Sequence, residues 1–195
     1  MTQIDAKQVM ALRDQTGAPA MECKRALVEA EGSIERAMKI LRARGAATAE
    51  KKAARVAAEG RVFSYIHHNN KVGVLVEVNC ETDFVARNSD FEQFLKDLCL
   101  HIAFKATTRY LTRDQVPPAE VEQARKEIAD QMSEHRGAAT DPNTLLEKWY
   151  AETCLMEQAF VKDEKATIED LRKGIVAKCG ENVVVRRFAR FEVGR

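Results

Sequence analysis

The chain lacks an excess of charge of one sign. Its 195 residues include 31 Lys and Arg against 30 Asp and Glu, a formal charge of only +1. A protein that holds a duplex through its phosphates usually carries a basic surplus, because each neutralised phosphate needs a cation. Direct nucleic-acid binding is therefore not the first function to expect.

Aromatic residues are also scarce, at 6% of the chain. Together with abundant Ala, Lys and Glu, this scarcity favours helices over an all-β design. Hydrophobic residues make up 45%, which is enough to form a core and too many for an intrinsically disordered chain. The composition predicts a helix-rich protein with a minority of sheet.

The five cysteines, at positions 23, 80, 99, 154 and 179, contain no CxxC pair and none of the clustering that a zinc site or a disulfide framework needs. This pattern indicates a reducing compartment. The first residues lack the basic and apolar runs of a leader, and no window approaches about 18 unbroken apolar residues. We expect a cytoplasmic protein that does not bind a membrane.

Sequence motifs of catalysis are missing as well. The chain has no Walker loop, GxGxxG, GxSxG or HExxH. His67 and His68 are neighbours in a predicted hairpin turn and cannot easily share one metal ion. A Cys/His nucleophile formed by Cys80 and His67 across the hairpin is conceivable, but a lone Cys at the end of an apolar strand is usually a buried small hydrophobe. We expect no enzyme, catalytic residue, metal or cofactor.

The first 60 residues predict a small helical unit and a connection. Gly17 and Gly32 divide residues 1–45 into three helical segments, and Gly45 is expected to end the third. Residues 46–60 are Ala-rich with scattered charges and indicate a partly exposed linker helix. The core of so short a unit is small, which suggests that residues 1–45 present a surface.

Residues 61–195 have the pattern of an α+β core. Two β-rich runs, RVFSYIH and KVGVLVEVN, predict a hairpin, and Val72, Val74, Val76 and Val78 alternate along one face as a half-buried strand requires. An S-x-x-E capping box at Ser89 and Glu92 opens a long apolar helix that should pack on this hairpin. Further helix starts are predicted after the prolines at 117–118, at Asp141 and at Thr167 with Asp170. The closing strand NVVVRRFARFEV carries apolar side chains at alternate positions: Val183, Val185, Ala189, Phe191 and Val193. The fold class is α+β with an antiparallel sheet packed with helices.

The segment CETDFVARNSD puts Phe84 where turn chemistry would favour Gly, Asn or Ser. A large ring in a polar connection is either folded into the core or offered to a partner. From the residues alone we favour the core, because exposed phenylalanines are uncommon and the next helix is Phe-rich.

The same segment carries a family resemblance. ETDFVARN closely resembles the signature of the elongation factor Ts family, the guanine nucleotide exchange factors of elongation factor Tu. Residues 12–45, LRDQTGAPAMECKRALVEAEGSIERAMKILRARG, resemble the family's ubiquitin-associated-like three-helix module, and EKKAARVAAEG resembles its connecting helix. SYIHHNNKVGVLVEVNC, LHIAF, QAFVKD and GENVVVRRFARFEVG are similar to its core segments. The resemblance covers nearly the whole chain.

The resemblance implies a set of partner-binding residues. Thr82, Asp83, Phe84 and Val85 would wedge beside the Mg²⁺ and phosphate site of elongation factor Tu and promote GDP release without bond chemistry. Arg13, Met21 and His67 match further contacts of the family. The sequence departs from the family's usual TGAGMM at Pro19 and Ala20, where the contact would be smaller or shifted.

The single core lobe resembles the short forms of the family, which pair as homodimers. The division is then 1–45 for docking, 46–60 as linker helix, and 61–195 for exchange and dimerisation. The partner, elongation factor Tu, would be bound in its GDP-bound and nucleotide-free states, and the closing strand offers edges for dimer pairing. The alternative is an RNA-binding translation accessory protein, although Arg186, Arg187 and Arg190 look more like a salt-bridged solvated face than an RNA site.

Overall fold

Three helices open the chain and form their own small core. The structure is a computed structural model that describes residues 4–134 and 141–194. The helices are α1 (Ala6–Thr16), α2 (Ala20–Glu29) and α3 (Ile34–Lys52). Leu12, Cys23 and Leu27 are fully buried between them. Asp5 caps α1 through a capping box, and Gly17 ends it in the left-handed conformation that favours glycine.

The third helix does not end at Gly45, so that prediction is wrong. It continues to Lys52, and Gly45 lies buried where α3 packs on a later helix, α8 (Ile168–Cys179). A Cβ placed on Gly45 would lie 3.6 Å from the Cβ of Ala177, so the glycine marks a close helix crossing. The predicted linker helix over 46–60 is therefore half the tail of α3 and half irregular chain leading into a strand.

The main sheet has three antiparallel strands in the order β1, β2, β5. Their bounds are β1 Glu59–Ile66, β2 Val72–Cys80 and β5 Val184–Glu192. The predicted hairpin is confirmed by the pairing of Ile66 with Gly73 and of Glu59 with Cys80. Val74, Val76 and Val78 are buried, which confirms the alternation of the central strand.

Helices cover one face of this sheet. The remaining elements are α4 (Asp83–Ala86), α5 (Ser89–Phe104), α6 (Pro118–Glu134), α7 (Pro142–Thr153), β3 (Ala159–Phe160) and β4 (Asp163–Thr167). Phe91, Leu95 and Leu98 of α5 are fully buried against the strands, so the predicted packing of this helix on the sheet and the α+β class are confirmed. Among the described helices, none is both long and apolar enough to cross a bilayer.

Two local predictions need correction. Asn88, and not Ser89, caps α5: its side chain accepts from the backbone N–H of Asp90, while Glu92 pairs with Lys96 at 2.7 Å. The caps predicted at Asp141 and at Thr167 with Asp170 are present. Capping side chains compete for the same few N–H groups, and a residue one position earlier can take the cap.

The second correction concerns β5, whose alternation changes face partway along. Val185 pairs with Val78 but Arg187 pairs with Glu77, so Arg186 is an extra residue at a bulge. Val185 therefore points into the core, whereas Phe191, an even number of positions later, is 68% exposed on the opposite face. A one-residue bulge moves every later side chain to the other side of the sheet.

The core also contains a buried polar group of side chains centred on His101. Its Nε2 lies 2.7 Å from Oε1 of Gln158, which also accepts from the Thr108 hydroxyl at 2.9 Å. Its Nδ1 accepts from the backbone N–H of Val161 at 3.4 Å. Both ring nitrogens are thus bonded when the ring is neutral, and burial lowers the pKa of His101.

This arrangement predicts acid sensitivity. Because the pKa of His101 is lower folded than unfolded, the unfolded chain binds more protons. The free energy of unfolding should fall as the pH drops below about 6.5, by up to about 1.4 kcal/mol per pH unit from this residue. Urea unfolding at several pH values, at one protein concentration, should show a weaker pH dependence for His101→Gln than for the wild type. Equal dependence in both proteins would contradict the assignment.

Candidate functional site

A single helical turn at the end of the central strand holds the residues Thr82–Val85. Thr82 is the N-cap of α4, and its hydroxyl accepts from the backbone N–H of Val85 at 3.4 Å. Ala86 is buried and Val85 is half-buried against the main core. Since neighbours on a helix point in different directions, anchoring Val85 and Ala86 turns Phe84 outward.

Phe84 is 80% exposed, so the expectation from the residues alone that it enters the core is wrong. The core beneath the next helix, α5, is already filled by the side chains of that helix, with Phe91 fully buried and Phe94 nearly so. Asp83 lies beside Phe84 and pairs with Arg87 at 2.8 Å across one helical turn. The segment thus offers an exposed ring next to a carboxylate.

A carboxylate from a distant part of the chain lies against this segment. Glu181, between α8 and β5, accepts from the backbone N–H groups of Glu81 at 3.1 Å and Thr82 at 3.0 Å, and from the Thr82 hydroxyl at 2.6 Å. These residues are about one hundred positions apart in sequence, so sequence spacing gave no sign of the contact. In the sequence, Glu181 is marked only by its place in GENVVVRRFARFEVG, one of the segments that resemble the family.

The second group of candidate residues lies on the three-helix unit. Arg13 is exposed on α1, and its carbonyl accepts from the N–H of Gly17 at 2.6 Å. Met21 is 62% exposed on α2, and Val28 lies exposed further along the same helix. Met21 and Val28 line a shallow groove whose polar border includes Arg44.

The start of α5 and the Gly17 turn meet at one side chain. Nζ of Lys178 lies 3.5 Å from the Asp90 carboxylate. The same nitrogen is 2.0 Å from the position that a Cβ on Gly17 would occupy. The turn between Arg13 and Met21 therefore lies beside the helix that follows Phe84, which brings the two candidate regions close together.

His67 lies apart from the Thr82–Val85 segment. It follows the end of β1, where its Nδ1 lies 2.9 Å from the Tyr65 hydroxyl. Cys80 pairs with Glu59 at the opposite end of the hairpin, and the nine-residue strand between them spans roughly 25–30 Å. The Cys80 and His67 pair considered as a nucleophile is therefore not formed.

The thiols give no support to nucleophilic chemistry. Burial, with the nearby Glu181 carboxylate, raises the pKa of Cys80 to about 11. Its Sγ donates to the carbonyl of Thr82 at 3.1 Å. All five cysteines are free thiols, and four of them are buried. In the described part of the chain, no three His, Cys, Asp or Glu side chains are grouped closely enough to hold a metal ion.

Two of the three arginines on β5 form ion pairs with acidic side chains. Arg187 pairs with Glu77 at 2.6 Å, and Arg190 pairs with Glu192 at 2.8 Å. Arg190 also donates to the carbonyl of Ile102 at 3.2 Å at the end of α5. Arg187 is 81% exposed, so the expectation of a salt-bridged solvated face is confirmed for it. Arg190 is ion-paired but only 13% exposed, so it does not belong to that face.

Comparisons with known proteins agree with the resemblance. The family described as elongation factor TS matches residues 6–195. The elongation factor Ts of Caldanaerobacter subterraneus subsp. tengcongensis is 48% identical over 98% of this chain and 97% of its own length. That of Geobacter sulfurreducens is 49% identical over 98% and 90%, and that of Synechococcus sp. (strain JA-3-3Ab) is 50% identical over 98% and 69%. This chain belongs to the elongation factor Ts family.

Proposed function

We propose that this chain acts in translation elongation by releasing GDP from elongation factor Tu. Asp83 and Phe84, flanked by Thr82 and Val85, would insert into the GTPase domain beside its Mg²⁺ and phosphate site. The observation that carries the proposal is the exposure of the Phe84 ring, 80% open on a turn whose neighbours are anchored. Exposed rings of this size are typical of interface anchors.

The mechanism requires no bond to form or break. A bound nucleotide is held through its phosphates by a metal ion and backbone amides, so small displacements of these ligands cost much affinity. Each 1.4 kcal/mol weakens binding about tenfold. Coupling is reciprocal, so a wedge that weakens GDP binding is itself expelled when nucleotide and Mg²⁺ return. The Asp83 carboxylate, next to a metal site, would compete with the phosphate ligands for Mg²⁺.

The three-helix unit would provide a second contact with the same GTPase domain. Arg13 and Met21 are both exposed, and the apolar strip of Met21 and Val28 suits an apolar patch of a partner. Residues 1–45 would dock and residues 61–195 would carry exchange and dimerisation, with 46–60 joining them. His67, at the far end of the hairpin, would make a separate contact. We propose that these events occur in the cytoplasm, where translation takes place.

Release of labelled GDP from elongation factor Tu tests the proposal directly. The wild-type chain should accelerate release, and Asp83→Ala should reduce the acceleration by about tenfold or more, the scale of a lost interface anchor. Arg87→Ala is the matched control, because it breaks the same ion pair but keeps the Asp83 carboxylate. It should leave the acceleration close to that of the wild type. No acceleration by the wild type would reject the proposed function.

We further propose that two copies pair through the open face of the main sheet. The helices cover one face, while the other carries a group of apolar side chains at neighbouring register positions: the exposed Val62, Ile66, Leu75 and Phe191 and the half-buried Ala189. Monomers rarely expose apolar patches larger than a few hundred Å². At one end of this face Arg187 is mostly exposed beside Glu77, so a two-fold pairing could exchange these charges between copies.

Phe191→Glu is expected to convert the dimer to a monomer at micromolar concentration, because it replaces an exposed ring of the apolar face with a charge. Sedimentation should give the mass of a dimer for the wild type and that of a monomer for the variant. Val56→Glu, at an exposed apolar side chain outside the sheet, is the control and should remain dimeric. A monomeric wild type with full exchange activity would reject the homodimer.

A further inference from the structure

The Glu181 side chain is hydrogen-bonded to the start of the Thr82–Val85 segment. Its two carboxylate oxygens accept three hydrogen bonds, all from Glu81 and Thr82, at 2.6–3.1 Å. Hydrogen bonds to an ionised acceptor are roughly twice as strong as neutral ones. This single side chain therefore fixes the backbone N–H groups of Glu81 and Thr82, the two residues before Asp83.

Glu81 makes hydrogen bonds in the opposite direction, to the residue that follows Glu181. The Glu81 carboxylate accepts from the backbone N–H of Asn182 at 2.6 Å and from Arg55 at 3.4 Å. The buried Asn182 side chain donates to the carbonyls of Ala53 at 3.3 Å and Arg55 at 2.9 Å. The end of α3, the end of β2 and the start of β5 are joined at one point.

The hydroxyl of Thr82 transmits this restraint to α4. Because it donates its only hydrogen to Glu181, its lone pairs remain free to accept from the N–H of Val85. A helix of one turn is not stable by itself, since nucleation is unfavourable. The conformation that exposes Phe84 therefore depends on an anchor outside the segment.

We propose that Glu181 is the positioning residue of the partner-binding segment, acting through Thr82 to hold Phe84 in its exposed orientation. This inference rests on the function proposed above. Without the carboxylate, the segment would populate other conformations that do not present the Phe84 ring to the partner. The apparent dissociation constant rises in inverse proportion to the fraction of molecules in the binding-competent state. Glu181 thus raises affinity without touching the partner.

The effect should separate binding from the maximal rate. Glu181→Ala should raise the concentration of this chain that gives half-maximal GDP release by about tenfold, as expected if the competent conformation falls to about a tenth of the population. The rate at saturation should stay within twofold. Glu181→Gln keeps one acceptor oxygen for the two N–H groups and should lie between alanine and the wild type.

Glu169→Ala is the matched control. Glu169 lies on α8, is half-buried as Glu181 is, and pairs with Arg172 at 2.6 Å. It should leave the half-maximal concentration unchanged. An equal effect of the Glu169 and Glu181 variants would mean general destabilisation and would overturn the proposal.

Hydrogen exchange provides a second readout that does not depend on elongation factor Tu. In the intact chain, the amides of Glu81, Thr82 and Val85 should exchange at least tenfold faster in both Glu181 variants, while the amide of Val76 on β2 stays protected. Unchanged protection of the three amides would overturn the positioning role even if exchange activity fell. If the wild type does not accelerate GDP release, the proposed function is rejected. The exchange rates of the three amides then still test whether Glu181 holds the segment in place.

Discussion

Replacing Phe84 with alanine is expected to reduce the acceleration of GDP release from elongation factor Tu by about 100-fold. Truncating a central interface anchor typically costs 2–4 kcal/mol, and each 1.4 kcal/mol is a factor of ten. The ring is 80% exposed in the free chain, so it contributes little to folding. The variant should unfold within about 0.5 kcal/mol of the wild type in urea.

Phe104→Ala is the control for this experiment. Phe104 is 71% exposed at the end of α5, so the two variants remove the same ring from surfaces of similar exposure. Release of labelled GDP should stay within about twofold of the wild type for Phe104→Ala. If Phe84→Ala retains the wild-type acceleration, the ring is not the wedge.

The largest expected effect on stability comes from Gly60→Ala. Gly60 has φ +147° at the start of β1, a region that is essentially restricted to glycine. A Cβ there would lie 2.2 Å from the carbonyl oxygen of Val78 and 2.7 Å from Cα of Asn79, both backbone atoms of the central strand. Backbone of a central strand cannot move aside, so we expect a loss of about 3–5 kcal/mol. Total stabilities are usually about 5–15 kcal/mol.

Gly174→Ala is the matched control in urea unfolding. Gly174 lies inside α8, and apart from its chain neighbours and the backbone of its own helix no atom of the described residues would come within 4 Å of its Cβ. Alanine in a helix interior raises the free energy of unfolding by up to about 1 kcal/mol relative to glycine, so this variant should be slightly more stable than the wild type. A Gly60→Ala protein within about 1 kcal/mol of the wild type would contradict the assigned backbone conformation.

Local patterns predicted most of the architecture. The alternating valines gave the hairpin, and Thr167 with Asp170 gave the start of α8, because both signals arise from neighbours in sequence. The prediction at Gly45 was wrong because glycine is both a helix terminator and a residue that permits close helix packing. Only the contact with Ala177 distinguishes the two roles.

Local sequence patterns could not predict the bulge at Arg186 or the hydrogen bonds of Glu181. A bulge leaves no fixed sequence pattern, yet it turns Phe191 from the core side of the sheet to its open face. The hydrogen bonds of Glu181 join positions about one hundred residues apart. For Phe84, hydrophobicity alone favoured the core, and the resemblance carried by ETDFVARN gave the exposure that the structure has.

The measurement that tests the central claim most directly is the affinity of this chain for elongation factor Tu in two states, nucleotide-free and loaded with GDP and Mg²⁺. Coupling is reciprocal, so the ratio of the two affinities must equal the factor by which this chain weakens GDP binding. Calorimetry or sedimentation should give much tighter binding to the nucleotide-free state for the wild type and a smaller ratio for Phe84→Ala. Equal affinity for both states would contradict the account.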